Sequence, residues 1–178
     1  MSFRPDDAWE EPLLSVLRRW AAAIVVFFAL IVLSLFPFRI GSFGEIRPSF
    51  MIMAIYYWAI MRPAAFSPLA AFGAGAAFDL LAGFPFGLNA LTLVLVQWVA
   101  RAQRRFLLGQ PFLVMWAGLS IVAAGAMALQ WALMSLFSWT LMPYEGALMG
   151  ALVTAALFPL AVVPLSALNN VIGGDRRG

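Results

Sequence analysis

The chain contains no cysteine and no histidine, and all eleven of its basic residues are arginine. Without cysteine there is no disulfide, thiolate nucleophile or thiolate metal ligand, and without histidine most zinc, copper and haem chemistry is excluded as well. Charge is scarce: 11% of residues are charged, where a soluble domain averages about 25%. The few acids are scattered, and Asp79 is the one that lies inside an apolar run, so the paired carboxylates of acid–base hydrolysis are missing. Ser120, Ser135 and Ser166 have no evident base, no His/Glu metal spacing occurs, and no Walker-type or dinucleotide fingerprint is present. An enzyme is therefore not expected, and neither is a cofactor. The net charge of +3 comes without a basic stretch interleaved with stacking aromatics, which argues against a nucleic-acid partner.

What is present is apolar. Of 178 residues 64% are hydrophobic, with a mean hydropathy of +0.94. A core of this size cannot hide that much apolar surface from water, so the implied solvent is lipid and the implied unit a single membrane domain.

Apolar runs bounded by Arg, Glu, Pro and Gly predict six spans, at about 20–38, 48–62, 66–82, 88–101, 112–137 and 146–168. The fold class is thus all-α, a six-helix bundle. The second run, SFMIMAIYYWAIM, is short, and Arg47 and Arg62 at its ends are expected to snorkel to the two interfaces. Pro159 and Pro164 are expected to bend or fray the second half of the last span. With both termini cytoplasmic, Arg4, Arg18, Arg19, Arg62, Arg101, Arg104, Arg105, Arg176 and Arg177 fall inside, and only Arg39 and Arg47 outside. That asymmetry obeys the positive-inside rule. Fusing the third and fourth runs into one span would reverse it, whereas a re-entrant hairpin over 66–100 would preserve it.

Residues 1–20 form a cytoplasmic segment in which Trp9, Leu13, Val16, Leu17 and Trp20 recur at helical spacing, the pattern of an interfacial amphipathic helix. No small-residue cleavage site follows the first span, so that span is expected to be retained. Residues 169–178 form a cytoplasmic tail. The inner stretch RAQRRFLLGQ reads as a basic loop in contact with anionic lipid.

Asp79, in AFDLLAGFPFGLNAL, is the sharpest single feature. A carboxylate is costly in hydrocarbon, but Gly83 follows four residues later, about 6 Å along a helix. Asp79 is therefore expected near the outer end of its helix, level with Arg47 and Asn89, and these three form a candidate polar cluster. The alternatives are a solvated Asp79, an Asn89 that only caps its helix and an Arg47 that only orients the chain. Gly83, Pro85 and Gly87 fit a tight turn between the third and fourth spans. Small residues spaced by four, Ala70/Ala74, Ala71/Gly75, Gly73/Ala77 and Gly146/Gly150, allow close helix approach, inside the bundle or against a partner.

The order and spacing of RPSFMIMAIYYWAIMRP and GAGAAFDLLAGFPFGLNAL resemble the rod shape-determining protein MreD family. The family pattern has an Arg-Pro opening a short span with a Tyr-Trp near its end. A Gly-rich helix ending in Asp-Leu, a Gly turn and a Leu-Gly before a small-residue helix come after it. The matching positions are Arg47, Pro48, Tyr57, Trp58, Gly75, Asp79, Gly83 and Gly87, within residues 47–100. The resemblance implies a non-enzymatic component of the bacterial elongasome in the cytoplasmic (inner) membrane. It further implies MreC as direct partner, with RodA, its partner transpeptidase and MreB in the wider complex. Members also resemble the six-helix substrate-binding subunits of energy-coupling-factor transporters, so a small-molecule-binding transporter subunit is the alternative function. The N-terminal amphipathic stretch has no counterpart in the family pattern.

Overall fold

A computed structural model describes residues 48–63 and 67–173, together with residues 29, 32–34, 38–39 and 45–46, and the side chains as far as residue 166. The amphipathic segment, most of the first apolar run, Arg47 and residues 174–178 lie outside the described residues. Among the described residues the architecture is helical, with helical backbone at 29 and 32–34 and five complete helices. These are α1 (Phe50–Met61), α2 (Pro68–Ala82), α3 (Leu88–Leu107), α4 (Phe112–Ser138) and α5 (Glu145–Gly173). The one departure from an all-α expectation is a two-residue antiparallel ladder ahead of α1, pairing Phe38 with Ile46 and Arg39 with Glu45.

The helices begin and end on local chemistry. Ser49 Oγ accepts from the Ile52 amide and opens α1. Ser67 does the same for Ala70 and opens α2, with Pro68 in the first turn where its missing N–H costs nothing. Gly83 closes α2 in the left-handed region, at φ 71°.

Successive helices pack as hairpins, α2 on α3 and α4 on α5, and α1 packs against α3 and α5. Every residue from Met51 to Ile60 is buried. A helix that is apolar on all faces suits a protein interior or lipid alike; here its neighbours enclose it, and at 12 residues α1 is about 18 Å long, well short of a bilayer core. Among the described residues α1 is thus an enclosed helix of the bundle rather than a lipid-facing one. Tyr56 anchors it, meeting Phe158 edge-on at 6.2 Å and donating to the Met115 carbonyl at 3.2 Å.

The supposed basic loop is also corrected. Helix α3 continues to Leu107, so Arg101, Arg104 and Arg105 sit on its last turns. Arg104 Nε donates to the Ile60 carbonyl at 2.7 Å, and the Arg101 guanidinium donates to the Pro63 carbonyl. The Arg62 amide serves the Trp58 carbonyl, and α3 supplies a donor to Ile60, one of the last carbonyls of α1, with positive charge at the negative end of the helix dipole.

Helix α5 runs through Pro159 and Pro164 rather than fraying. Proline at 159 removes the N–H that would serve the Ala155 carbonyl four residues earlier. Trp116 Nε1 takes that place, donating to Ala155 at 2.7 Å. Trp116→Phe should therefore lower stability by about 1 kcal/mol, read as a fall of a few degrees in the melting temperature of the detergent-solubilised protein. Trp98→Phe, at an exposed position, should leave it unchanged.

Helix α4 and the stretch Glu145–Ser166 of α5 are long and apolar enough to cross a membrane, while α1 and α2 are shorter apolar helices. Large apolar side chains lie exposed along the flanks, among them Leu69, Trp98, Ile121, Leu152 and Leu160, which suits a lipid surround.

Candidate functional site

The helical hairpin α2–α3 is closed by residues 83–87. Gly83 and Gly87 hold positive φ angles of 71° and 98°, a region in which other residues are strained, and Phe84 stacks back on Phe78 at 6.2 Å between ring centroids. The turn brings the N-terminus of α3 beside the last turn of α2, and Asp79 fills the junction.

Helix α3 starts at Gly87, which has no side chain to satisfy the first free amides. Asp79 supplies the missing acceptor from the preceding helix. Its Oδ2 accepts from the Gly87 amide at 2.9 Å, and its Oδ1 from the Asn89 amide at 3.0 Å and from Asn89 Nδ2 at 2.7 Å. Longer contacts join Oδ2 to the Asn89 and Ala90 amides, at 3.2 and 3.4 Å. Both oxygens act only as acceptors, the role of a carboxylate, at the positive end of a helix dipole. The Asp79 side chain is wholly buried, so a solvated interfacial acid is ruled out.

The network continues beyond the turn. Asn89 spends its Nδ2 on Asp79, and its Oδ1 accepts from Gln130 Nε2 at 2.8 Å. Three helices are thereby tied at one level, α2 by Asp79, α3 by Asn89 and α4 by Gln130. The position of Asn89 is therefore more than a cap. Gly75 makes the approach possible: a Cβ there would lie 2.4 Å from the Ala90 Cα and nitrogen.

Other predicted positions fall elsewhere. Pro48 is buried immediately before α1. Tyr57 and Trp58 are buried in a small cluster with Ala54 and Leu165, inside the bundle and away from the Asp79 network. Of the small-residue positions on α2, Ala71, Ala74 and Gly75 are buried, while Gly73 faces open space. Gln130 and Thr154 are isolated polar residues in apolar helices. Thr154 Oγ1 accepts from the Ser49 amide at 3.1 Å and donates to the Gly150 carbonyl at 2.6 Å, tying α5 to the start of α1.

Chemically this arrangement is a tie. The Asp79 oxygens face donors from the turn and from α3, and among the described residues no group of three or more His, Cys, Asp or Glu gathers to hold a metal.

Residues 15–165 of the chain match the family described as rod shape-determining protein MreD. No curated protein and no solved structure matches the chain.

Proposed function

The chain belongs to the MreD family of rod shape-determining proteins, and from that premise we propose that it is a non-catalytic, multi-pass component of the bacterial elongasome in the cytoplasmic membrane. In this role it binds MreC directly and helps to organise the peptidoglycan synthesis machinery, RodA with its partner transpeptidase and MreB standing in the wider complex. The observation that carries this reading is the family match over residues 15–165, most of the 178-residue chain. The structure is consistent with it in two respects. The Asp79 carboxylate is engaged in hydrogen bonds that hold α2 and α3 together. The flanks of the bundle are broadly apolar, as lipid or a partner helix requires.

The polar groups of the described site do not support the transporter-subunit reading. A small-molecule site needs several convergent polar groups, and here Asp79, Asn89 and Gln130 bond to one another.

Purification of the tagged protein in mild detergent from a rod-shaped bacterium that makes MreC should recover MreC with it. Failure to recover MreC across mild detergents and after crosslinking in intact cells would overturn the scaffold reading.

A further inference from the structure

The segment joining α4 to α5 holds the one non-glycine residue with positive φ among the described residues, Trp139 at φ 53°. Its amide donates to the Leu136 carbonyl, closing α4 where a glycine would be the unstrained choice. A bulky residue in this conformation is strained, and strain persists only where the surroundings hold it. Within the chain little does: Trp139 is 90% exposed and Leu141 is 88% exposed. Leu136, Phe137 and Tyr144 are exposed on either side of them.

The segment is nevertheless fixed. Trp131 Nε1 donates to the Met142 carbonyl at 2.8 Å, and the Met142 amide donates to Ser135 Oγ at 3.3 Å. These bonds pin Met142 to α4 and leave Trp139 and Leu141 thrust outward on a braced turn.

Level decides what they meet. Helix α4 has 27 residues, about 40 Å, which matches a bilayer measured through its headgroup regions rather than its hydrocarbon core alone. Its C-terminal end therefore emerges among the headgroups, where the amphipathic rings of Trp and Tyr are most at home. It does so at the end of the bundle opposite Arg101, Arg104 and Arg105, since α3 and α4 run antiparallel. No charged residue lies between Arg105 and Glu145, so the turn itself is uncharged, and the exposed Glu145 that follows it marks the headgroup side. Exposed apolar side chains also follow on both flanking helices, Leu136 and Phe137 on α4 and Leu148 and Leu152 on α5, as lipid contact requires.

We infer that residues 136–144 form an interfacial anchor in the outer leaflet, binding phospholipid at the boundary of headgroup and acyl chain and setting the depth of the α4–α5 hairpin. The inference rests on the multi-pass reading.

The absence of native cysteine allows a single spin label to test it. Leu141→Cys, or Thr140→Cys should the first variant fold poorly, is labelled in the full-length protein reconstituted into phosphatidylethanolamine–phosphatidylglycerol nanodiscs. Collisions with oxygen should exceed those with a water-soluble nickel chelate several-fold. Free access of the chelate would place the turn in water and overturn the proposal. Low access of both reagents would show a protein surface covering it and would equally overturn it. Gln103→Cys, exposed near the other end of α3, keeps the two readings apart. In intact spheroplasts it should react with an impermeant maleimide only after permeabilisation. Reaction without permeabilisation would refute the topology, whereas a protected Gln103 position with a water-exposed turn would refute the anchor alone.

Discussion

Gly75→Ala should destabilise the protein by about 2–3 kcal/mol, the cost of overpacking a tight contact, while Gly73→Ala, two residues away, should be neutral or stabilising. Both substitutions give a helix residue of better intrinsic propensity, worth up to about 1 kcal/mol. They differ in what the new methyl group meets. At 73 it meets nothing within 4 Å, and at 75 it meets the Ala90 backbone at 2.4 Å. Backbone cannot rotate aside as a side chain does, so α2 and α3 must separate, and separation lengthens every hydrogen bond at the Asp79 junction. A loss of this size corresponds to roughly 5–10 °C in melting temperature for a chain of this length. Thermal denaturation in detergent should therefore show opposite signs for the pair. Equal effects at the two positions would mean that α2 and α3 are not in close contact.

Asp79→Ala should be at least as damaging. It leaves the Gly87 and Asn89 amides and the Asn89 side chain without their acceptor in a buried setting, and each such loss costs about 1–3 kcal/mol. It also removes the acceptor that stands in for an N-cap on α3. A total above about 3 kcal/mol follows from these terms, enough to cut the amount of folded protein in the membrane several-fold. Asp79→Asn should fall between alanine and wild type, because one oxygen remains while the new amide group faces donors. Rod-shape complementation should follow the same order as protein abundance. A stable, abundant Asp79→Ala protein that still fails to restore shape would instead assign Asp79 a direct part in partner contact.

The helices were legible because their punctuation is chemical. Gly83 and Gly87 mark a turn that needs positive φ, and Ser67–Pro68 marks a helix start. The nearness of Asp79 and Asn89 followed from that turn. Its completion by Gln130 did not, because the rotation of α4 depends on packing with α3 and α5, which no local pattern records. For the same reason three small-residue spacings on α2 read alike, although Gly75 meets backbone and Gly73 faces open space. The enclosure of α1 was hidden too: its composition fits a lipid-facing span and an interior axis equally, and only the neighbours distinguish them. The structural bonds of Arg101 and Arg104 were hidden because their acceptors, the Pro63 and Ile60 carbonyls, are distant in sequence.

That enclosed axis has a consequence for biogenesis. Helix α1 leaves the ribosome before α2–α5, and its two ends are completed at different later times. The Ile60 carbonyl in its last turn must wait for Arg104, and the Ser49 amide ahead of its first turn must wait for Thr154. The first of the five complete helices to be synthesised is thus the last to be finished, and a nascent chain holds an apolar helix too short for the bilayer until α5 has been made.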